Sequence, residues 1–440
     1  MTKRGALKHN LFHGPDREFK AHKLAKHDVV ITTYMTVVSE LKNNGVLFQV
    51  KWKRIVLDEG HVIRNHKSKQ SEAVCSLPGK FRWFLSGTPI QNKEFDLFAA
   101  IKFLKCRPFD DLIYWKTWIE QKKSSSLSSS PRVQTLLKAI LLRRTKQQLI
   151  ESGEIDSLPD KVYRQFDVTL NRQERLVYNK FLTISQSVFA SYVAQQQEKN
   201  GGNGKVESSR MAKLYKNFTG KFNVDHEVKN HEILTIILRL RQICCHPGLA
   251  KDSLTGGEMV EGEVLDGHDD QDESHNESDD LMKQIENMQL EDGGEEADAD
   301  VFNLDIPSSK LNHMMDVLRE NVLDSENKAI IVSQWTSYLS VARGLLELEG
   351  VKYCEINGTV PVKNRNDIIV KFNKPDSGIK IMLLSLTAGG VGLNLVGANY
   401  LFLMDLHWNP QLEQQAQDRI YRFGQTKQVN VYKWVWKFEI

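Results

Sequence analysis

Short aliphatic or β-branched runs alternate with helical patterns from the start of the chain to about Cys106, and again from about Ser308 to the end. HDVVITTYMTVVSEL gives a strand through Val29, Val30, Ile31, Thr32 and Thr33, then a helix. KRIVLDEGHVIRN gives a buried strand over Arg54 to Leu57 that stops at acid, and KFRWFLSGTPIQN a strand that closes on Ser-Gly-Thr-Pro. Apolar strands with polar residues at their C-terminal ends are what a parallel α/β sheet presents at its ligand edge. In the second block, KAIIVSQWTSYL gives a buried strand ending at Ser333, Gln334 and Trp335. KYCEINGTV gives one that turns at Asn357 and Gly358, and KIMLLSLTAGGVGLNL and ANYLFLMDLHWN give two more, the last stopping at Asp405. A polar helical pattern carrying Arg419 and Arg422 follows. Three residues apart on one helix, they would share a face.

Between these blocks the pattern is helical. RVQTLLKAILLRRTKQQL reads as one helix with a basic end at Arg143, Arg144 and Lys146, and residues 171–195 and 229–246 read as two more. KKSSSLSSSPR and QQQEKNGGNGK read as flexible connections. The fold class predicted is α/β, parallel sheets flanked by helices. It divides into a first lobe over 1–120, a helical protrusion and linker over 121–250, an acidic disordered insertion over 251–307 and a second lobe over 308–440.

At 440 residues and 50.5 kDa the chain exceeds what one core sustains. No apolar run approaches the length of a membrane span, and the N-terminal MTKRGALKHN lacks a signal-peptide core. The five cysteines form no CxxC pair, so neither a disulfide framework nor a zinc ribbon is encoded, and a reducing compartment fits. Cys244, Cys245 and His246 stand too close together for a tetrahedral site of their own, which makes packing their default role. The formal charge of +3 hides segregation: residues 261–300 hold 17 acids against one lysine, a local charge of −16, which leaves about +19 on the remainder. A basic body suits a polyanionic partner, while the acidic run either solubilises or mimics nucleic acid.

Asp58 and Glu59 at a strand end could hold a magnesium ion and orient a water, or simply cap the next helix. Ser86 and Thr88 could sense a phosphate or close a turn before Pro89. Arg419 and Arg422 could embrace a transferring phosphate, because a guanidinium stays charged and offers a planar fork of donors; alternatively they form a solvated helix face.

Taken in order, ITTY at 31–34, DEGH at 58–61, SGTPIQN at 86–92, SQWT at 333–336, SLTAGGVGLNL at 385–395 and DRIYRFGQ at 418–425 resemble the motor of the Swi/Snf-type branch of superfamily-two DNA-dependent ATPases. LLRRTK, LRLRQICCHP and DLHWNPQLEQQAQDRIYRFGQ are most similar to its transcription-termination type. The resemblance covers nearly the whole chain and implies two RecA-like lobes, a nuclear setting, ATP and magnesium as cofactors, and double-stranded DNA as partner. A role in displacing an RNA polymerase II elongation complex is implied too, with chromatin remodelling or DNA repair as alternatives.

Carried onto matching positions, the resemblance makes Asp58 the magnesium ligand and Glu59 the residue that polarises water. His61, Ser86 and Thr88 couple nucleotide state to movement. Gly390, Gly392, Asn394 and Gln417 line the nucleotide cleft, and Arg419 and Arg422 supply finger charges. Thr32, Thr33, Tyr34, Gln334, Trp335 and Asn357 touch the DNA backbone, with Trp335 at least equally suited to a core. Related remodellers carry a zinc-binding RING between the lobes; the cysteines and spacing for one are not encoded here, so neither a zinc module nor ligase activity is expected. The family's G-x-x-x-x-G-K-[ST] loop is also not found in these residues. The expectation is therefore an incomplete first lobe, a truncated end, and a chain that by itself hydrolyses ATP poorly or serves as a DNA-binding or polymerase-docking module.

Overall fold

The computed structural model describes residues 6–15, 17–87, 96–119, 131–154, 158–199, 230–252, 299–386, 388 and 392–437. The chain divides into two compact units, Met1–Ile155 and Asp156–Ile440.

In the first unit, β1 (His9–Leu11) pairs with β2 (Val29–Ile31), and β3 (Trp52–Leu57) with β4 (Gly79–Phe84), both in parallel. Among the described residues these form two separate two-stranded sheets. Leu57 and Ile55 of β3 point into a core with Phe12, Leu24, Val37, Ile63 and Val74. The opposite side of β3 and β4 leaves Val56, Phe81 and Trp83 exposed. The expected helix over 132–149 is two helices, Pro131–Ile140 and Lys146–Glu151. Thr145 causes the break: its hydroxyl accepts the Gln148 N–H while Gln148 bonds back to the Thr145 N–H, a reciprocal cap that starts a new helix.

The second unit is built on a six-stranded, all-parallel sheet in the order β5-β10-β9-β6-β8-β7. The strands are β5 (Lys161–Val168), β6 (Ala329–Ser333), β7 (Tyr353–Ile356), β8 (Ile381–Ser385), β9 (Tyr400–Leu403) and β10 (Val429–Trp436). Every residue of β6 and β8 is buried, because helices cover both faces. Alternation sorts their side chains: Ile331, Leu383 and Phe402 join Trp335, Tyr338 and Trp434 on one face, while Ile330, Val332, Leu384, Leu401 and Leu403 join Ile420 and Val431 on the other.

Two findings depart from the expected organisation. Part of the stretch read as helical linker is β5, the edge strand, in register with β10 from Lys161↔Val429 to Val168↔Trp436. The end of the stretch read as acidic insertion is folded: Ile306 O accepts a bond from His246 Nε2 at 2.8 Å, and Phe302 packs near Tyr178. Most of that insertion, the Ser-rich connection and residues 200–229 lie outside the described residues.

Cys245 is buried in the core, as is His246. Burial pushes the Cys244 thiol up to about 11 and the Cys245 thiol up to about 12, which keeps both protonated. His246 Nδ1 accepts the Gly248 N–H at 3.0 Å while Nε2 donates to Ile306, a pattern only the neutral Nε2–H tautomer satisfies.

Candidate active site

In the first unit, β3 delivers Asp58 and Glu59 directly at its C-terminal end. Glu59 adopts a left-handed conformation, φ 47° and ψ 49°, uncommon for a residue with a Cβ. The turn is fixed from below. Gly60 N donates to Leu85 O at 2.7 Å, and a Cβ at Gly60 would come within 2.5 Å of the Phe84 ring, so glycine alone lets the chain pass this close to β4.

Tyr34 Oη donates to Asp58 O at 2.7 Å. Tyr34, expected on a DNA-facing surface, therefore belongs to the acidic turn. Burial, then the Asp58 and Glu59 charges, push its phenol above the ordinary value, so it remains a donor. His61 Nδ1 stands 3.3 Å from Glu59 Oε2 without hydrogen-bond alignment. Burial lowers its imidazole below the usual value against the opposing pull of Glu59, with Arg64 lowering it further, which leaves the ring neutral at neutral pH.

Asp58 Oδ1 accepts the Glu59 N–H at 3.0 Å; its other oxygen takes no bond from a described residue, and the side chain is exposed. Magnesium is commonly held by one or two carboxylates with waters and substrate phosphates, and an exposed carboxylate with an open oxygen fits that donor set. No group of three His, Cys, Asp or Glu able to cage an ion occurs among the described residues.

Thr32 Oγ1 donates to Phe12 O at 2.9 Å, and Thr33 Oγ1 caps the Tyr34–Lys42 helix by accepting the Thr36 N–H. Both hydroxyls thus serve local structure. Ser86 is half-buried just beyond β4; Thr88 lies outside the described residues.

In the second unit the expected residues fall at two opposite edges of one sheet. At the C-terminal edge, β6 ends at Ser333 and is followed by Gln334 and Trp335, β7 is followed by Asn357, and β9 by Asp405 and Leu406. Asn357 organises its own turn: Oδ1 accepts from Thr359 N at 3.0 Å and Nδ2 donates to Glu355 at 2.8 Å. Trp335 is 4% exposed and lies in the core, so its ring is unavailable to DNA. Gln334 is only 8% exposed, and both ends of its amide are engaged: Nε2 donates to Asp405 Oδ1 at 2.8 Å, while Oε1 accepts from Arg241 Nη2 at 3.0 Å. The sequence pattern gave no signal for this pairing.

Asp405 is the buried centre of that edge. Its carboxylate also accepts from Ser333 Oγ and from Gln334 N, at 3.2 Å to Oδ2. Burial raises the Asp405 carboxyl, and the bonds from Ser333 and Gln334, with the Lys310 charge, oppose that.

At the N-terminal edge lie Gly392, Asn394, Gln417, Arg419 and Arg422. Leu395 N donates to Arg419 O at 3.1 Å, Arg422 Nη1 to Leu393 O at 3.4 Å and Asn373 Nδ2 to Asn394 O at 2.8 Å, which ties these loops together ahead of β9. Gly392 is exposed with open space where a Cβ would sit; the close approach belongs to Gly397, whose Cβ would come within 2.6 Å of the Asn373 backbone. Gly390 lies outside the described residues.

The shared helix face expected for the two arginines is not formed. The helix Pro410–Ile420 carries Arg419 but ends before Arg422, at a Tyr421 with φ −88° and ψ 76°. Gln425 Nε2 terminates it, donating to Ile420 O at 3.3 Å as well as to Ala398 O at 2.8 Å. Gln417 is buried, its Oε1 accepting from Lys161 Nζ and from Tyr163 Oη, both at 2.8 Å. Both donors come from β5, a strand that was not expected.

Residues 2–249 match the SNF2-related domain and residues 309–424 the helicase conserved C-terminal domain. Transcription termination factor 2 of Drosophila melanogaster is 43% identical over 468 residues, which covers 96% of this chain and 43% of that protein. The probable global transactivator of Orgyia pseudotsugata multicapsid polyhedrosis virus is 31% identical over 444 residues, covering 98% of this chain and 72% of the viral protein. Helicase-like transcription factor of Mus musculus is 31% identical over 487 residues, covering 97% of this chain and 46% of its own length. The chain thus spans less than half the length of the fly and mouse relatives. The Sulfolobus solfataricus SWI2/SNF2 ATPase core in complex with dsDNA is 26% identical, covering 98% of this chain and 72% of that one, with a TM-score of 0.36. With more than half of its length matched by the SNF2-related domain and a helicase conserved C-terminal domain following, the chain belongs to the SNF2 family of helicase-like proteins.

Proposed function

We propose that the chain is the motor region of a nuclear, double-stranded-DNA-dependent ATPase that translocates on duplex DNA. The observation that carries this reading is the pair of carboxylates at the end of β3, Asp58 exposed and Glu59 held in a left-handed turn beside a neutral His61, in a chain of the SNF2 family. Asp58 would hold magnesium, which when bound neutralises phosphate charge. Glu59 would orient the attacking water, and His61, Ser86 and Thr88 would pass nucleotide state onward. In the second unit Arg419 and Arg422 would stabilise charge on the transferring phosphoryl group, with Gln417, Asn394, Gly392 and Gly390 beside them. The C-terminal edge of the second sheet would face DNA, together with the segment around Thr32, Thr33 and Tyr34. Because grip on a phosphate backbone carries little sequence information, binding should be salt-sensitive and weakly specific.

The identity to a fly protein called a transcription termination factor supports a role in clearing RNA polymerase II from its template. ATP turnover with and without duplex DNA, for wild type and Glu59→Gln, tests the catalytic reading. DNA-stimulated turnover that Glu59→Gln abolishes is expected of a polypeptide holding these residues together with a glycine-rich phosphate loop; the 440 residues alone should turn over near background. Turnover indifferent to Glu59→Gln would overturn the assignment. Salt-sensitive duplex binding that ATP never alters, in any longer polypeptide, would favour a non-catalytic docking module.

A further inference from the structure

We infer that Arg241 is a docking point for a backbone phosphate of nucleic acid, held in place by a relay that runs from buried Asp405 through Gln334. The assignment rests on the DNA-binding reading above and names a residue for it.

Arg241 lies near the end of the helix Asn230–Ile243, and its side chain reaches the C-terminal edge of the second sheet. Nη2 donates to Gln334 Oε1 at 3.0 Å and to Leu406 O at 2.8 Å, and the guanidinium carbon lies 5.9 Å from the Trp335 ring centroid. Those two bonds use both hydrogens of Nη2. The three remaining N–H groups, on Nη1 and Nε, bond no described residue, and neither nitrogen is among the buried unsatisfied atoms. No carboxylate among the described residues forms an ion pair with Arg241.

The relay fixes which way the Gln334 amide faces. A guanidinium only donates, so Arg241 Nη2 must meet the Gln334 amide oxygen, and the NH2 group is thereby turned to Asp405 Oδ1. Ser333 Oγ and Gln334 N lock the same carboxylate. Burying a carboxylate is costly, and here it serves to orient one amide whose other end holds one guanidinium. The result is a permanent cation anchored by neutral acceptors on one side, with a planar set of donors left on the other. That is a receptor for an anionic oxygen pair of phosphate geometry.

Two sources could supply such a phosphate, a nucleotide or a nucleic-acid backbone. Position decides between them. Arg419, Arg422, Gly392 and Asn394 lie ahead of β9 and β10, whereas Arg241 sits past the ends of β6 and β9. Strands of four and five residues separate the two edges, about 13 to 17 Å at a rise of ~3.3 Å per residue. A triphosphate engaged by the Arg419 loop is therefore out of reach of Arg241.

Duplex DNA affinity, measured by fluorescence anisotropy across a salt series, tests the assignment. Arg241→Gln should weaken binding about tenfold regardless of sequence and lower the slope of log affinity against log salt by about one. Arg241→Lys, which keeps the charge and loses the fork, should keep the slope and lose less affinity. Independently of either variant's folding, modification of the wild-type chain by phenylglyoxal, read by mass spectrometry of the peptide holding Arg241, should be blocked by duplex DNA and not by ATP with magnesium. Unchanged slope and affinity in Arg241→Gln, no protection by DNA, or protection by ATP alone would each overturn the assignment while duplex binding by the wild type stands. A wild-type chain that does not bind duplex DNA would overturn the parent reading, and this residue's role with it.

Discussion

Lys161 Nζ and Gln417 Oε1 lie 2.8 Å apart although 256 residues separate them in sequence. The bond ties the first residue of β5 to the helix that carries Arg419. Tyr163 Oη shares the same acceptor at 2.8 Å. Lys161→Met removes one of two donors and should cost about 1 kcal/mol; adding Tyr163→Phe leaves the buried amide oxygen without either and should cost a further 1 to 3 kcal/mol, roughly. Urea denaturation of the single and double variants measures both, and the non-additivity between them is the expected signature of a shared acceptor.

Gln334→Leu should remove the side-chain donor to Asp405 Oδ1, in a site only 8% exposed, while Ser333 Oγ and the backbone N–H of residue 334 still meet the carboxylate. Losing one of several hydrogen bonds to a buried carboxyl group typically costs about 1 to 3 kcal/mol. A loss of unfolding free energy well below that range, measured by urea denaturation, would mean that water or Lys310 takes over the vacated position.

Gly397→Ala places a methyl 2.6 Å from Asn373 Cα, which is backbone and cannot swing aside. The variant should lose the 3.0 Å bond from Gly397 N to Asn373 Oδ1 and melt earlier, with a cost of about 1 to 3 kcal/mol for overpacking. Gly344→Ala, in a helix with open space at the Cβ position, is the control, expected to be neutral or slightly stabilising. Differential scanning calorimetry of the pair makes the comparison.

Acid should weaken the fold through its histidines before its carboxylates. Burial lowers His246 below the ordinary imidazole value of 6.5, its bond to Ile306 opposing, so the unfolded chain takes up the proton first. The stabilisation is complete above 6.5 and is lost as pH falls through the lower folded value, with a slope of up to about 1.4 kcal/mol per pH unit for one group. His61 and His66, lowered by burial as well, add to it. Denaturation midpoints between pH 7 and 5 should fall for wild type and fall less steeply for His246→Gln.

Much of the scaffold could be read from local pattern. β3, β4, β6, β8 and β9 lie inside runs whose length, branching and polar stops identify parallel strands, fully buried in β6 and β8 but exposed on one side in β3 and β4, and Asp58, Glu59, Gln334 and Asp405 stand where such runs end. β5 and β10 escaped because KVYRQFDV and VNVYKWVW mix polar with aromatic residues, and their pairing partners lie far away in sequence. The same remoteness hid the partners of Gln334, since Arg241 is 93 residues before it and Asp405 is 71 after it. Arg422 was misplaced for a local reason: three-residue spacing promises a common face only while the helix lasts, and Gln425 stops it at Ile420.

β9 spans both edges of the second sheet in four residues, Tyr400 to Leu403, with Phe402 packed on one face and Leu401 and Leu403 on the other. A slide by one residue would exchange those faces, so the strand cannot ratchet along its neighbours. Sliding of β9 is therefore closed as a link between the Arg419 loop and the Asp405 corner, which leaves the helix Pro410–Ile420, starting just past Asp405 and carrying Arg419, as the direct mechanical connection between them.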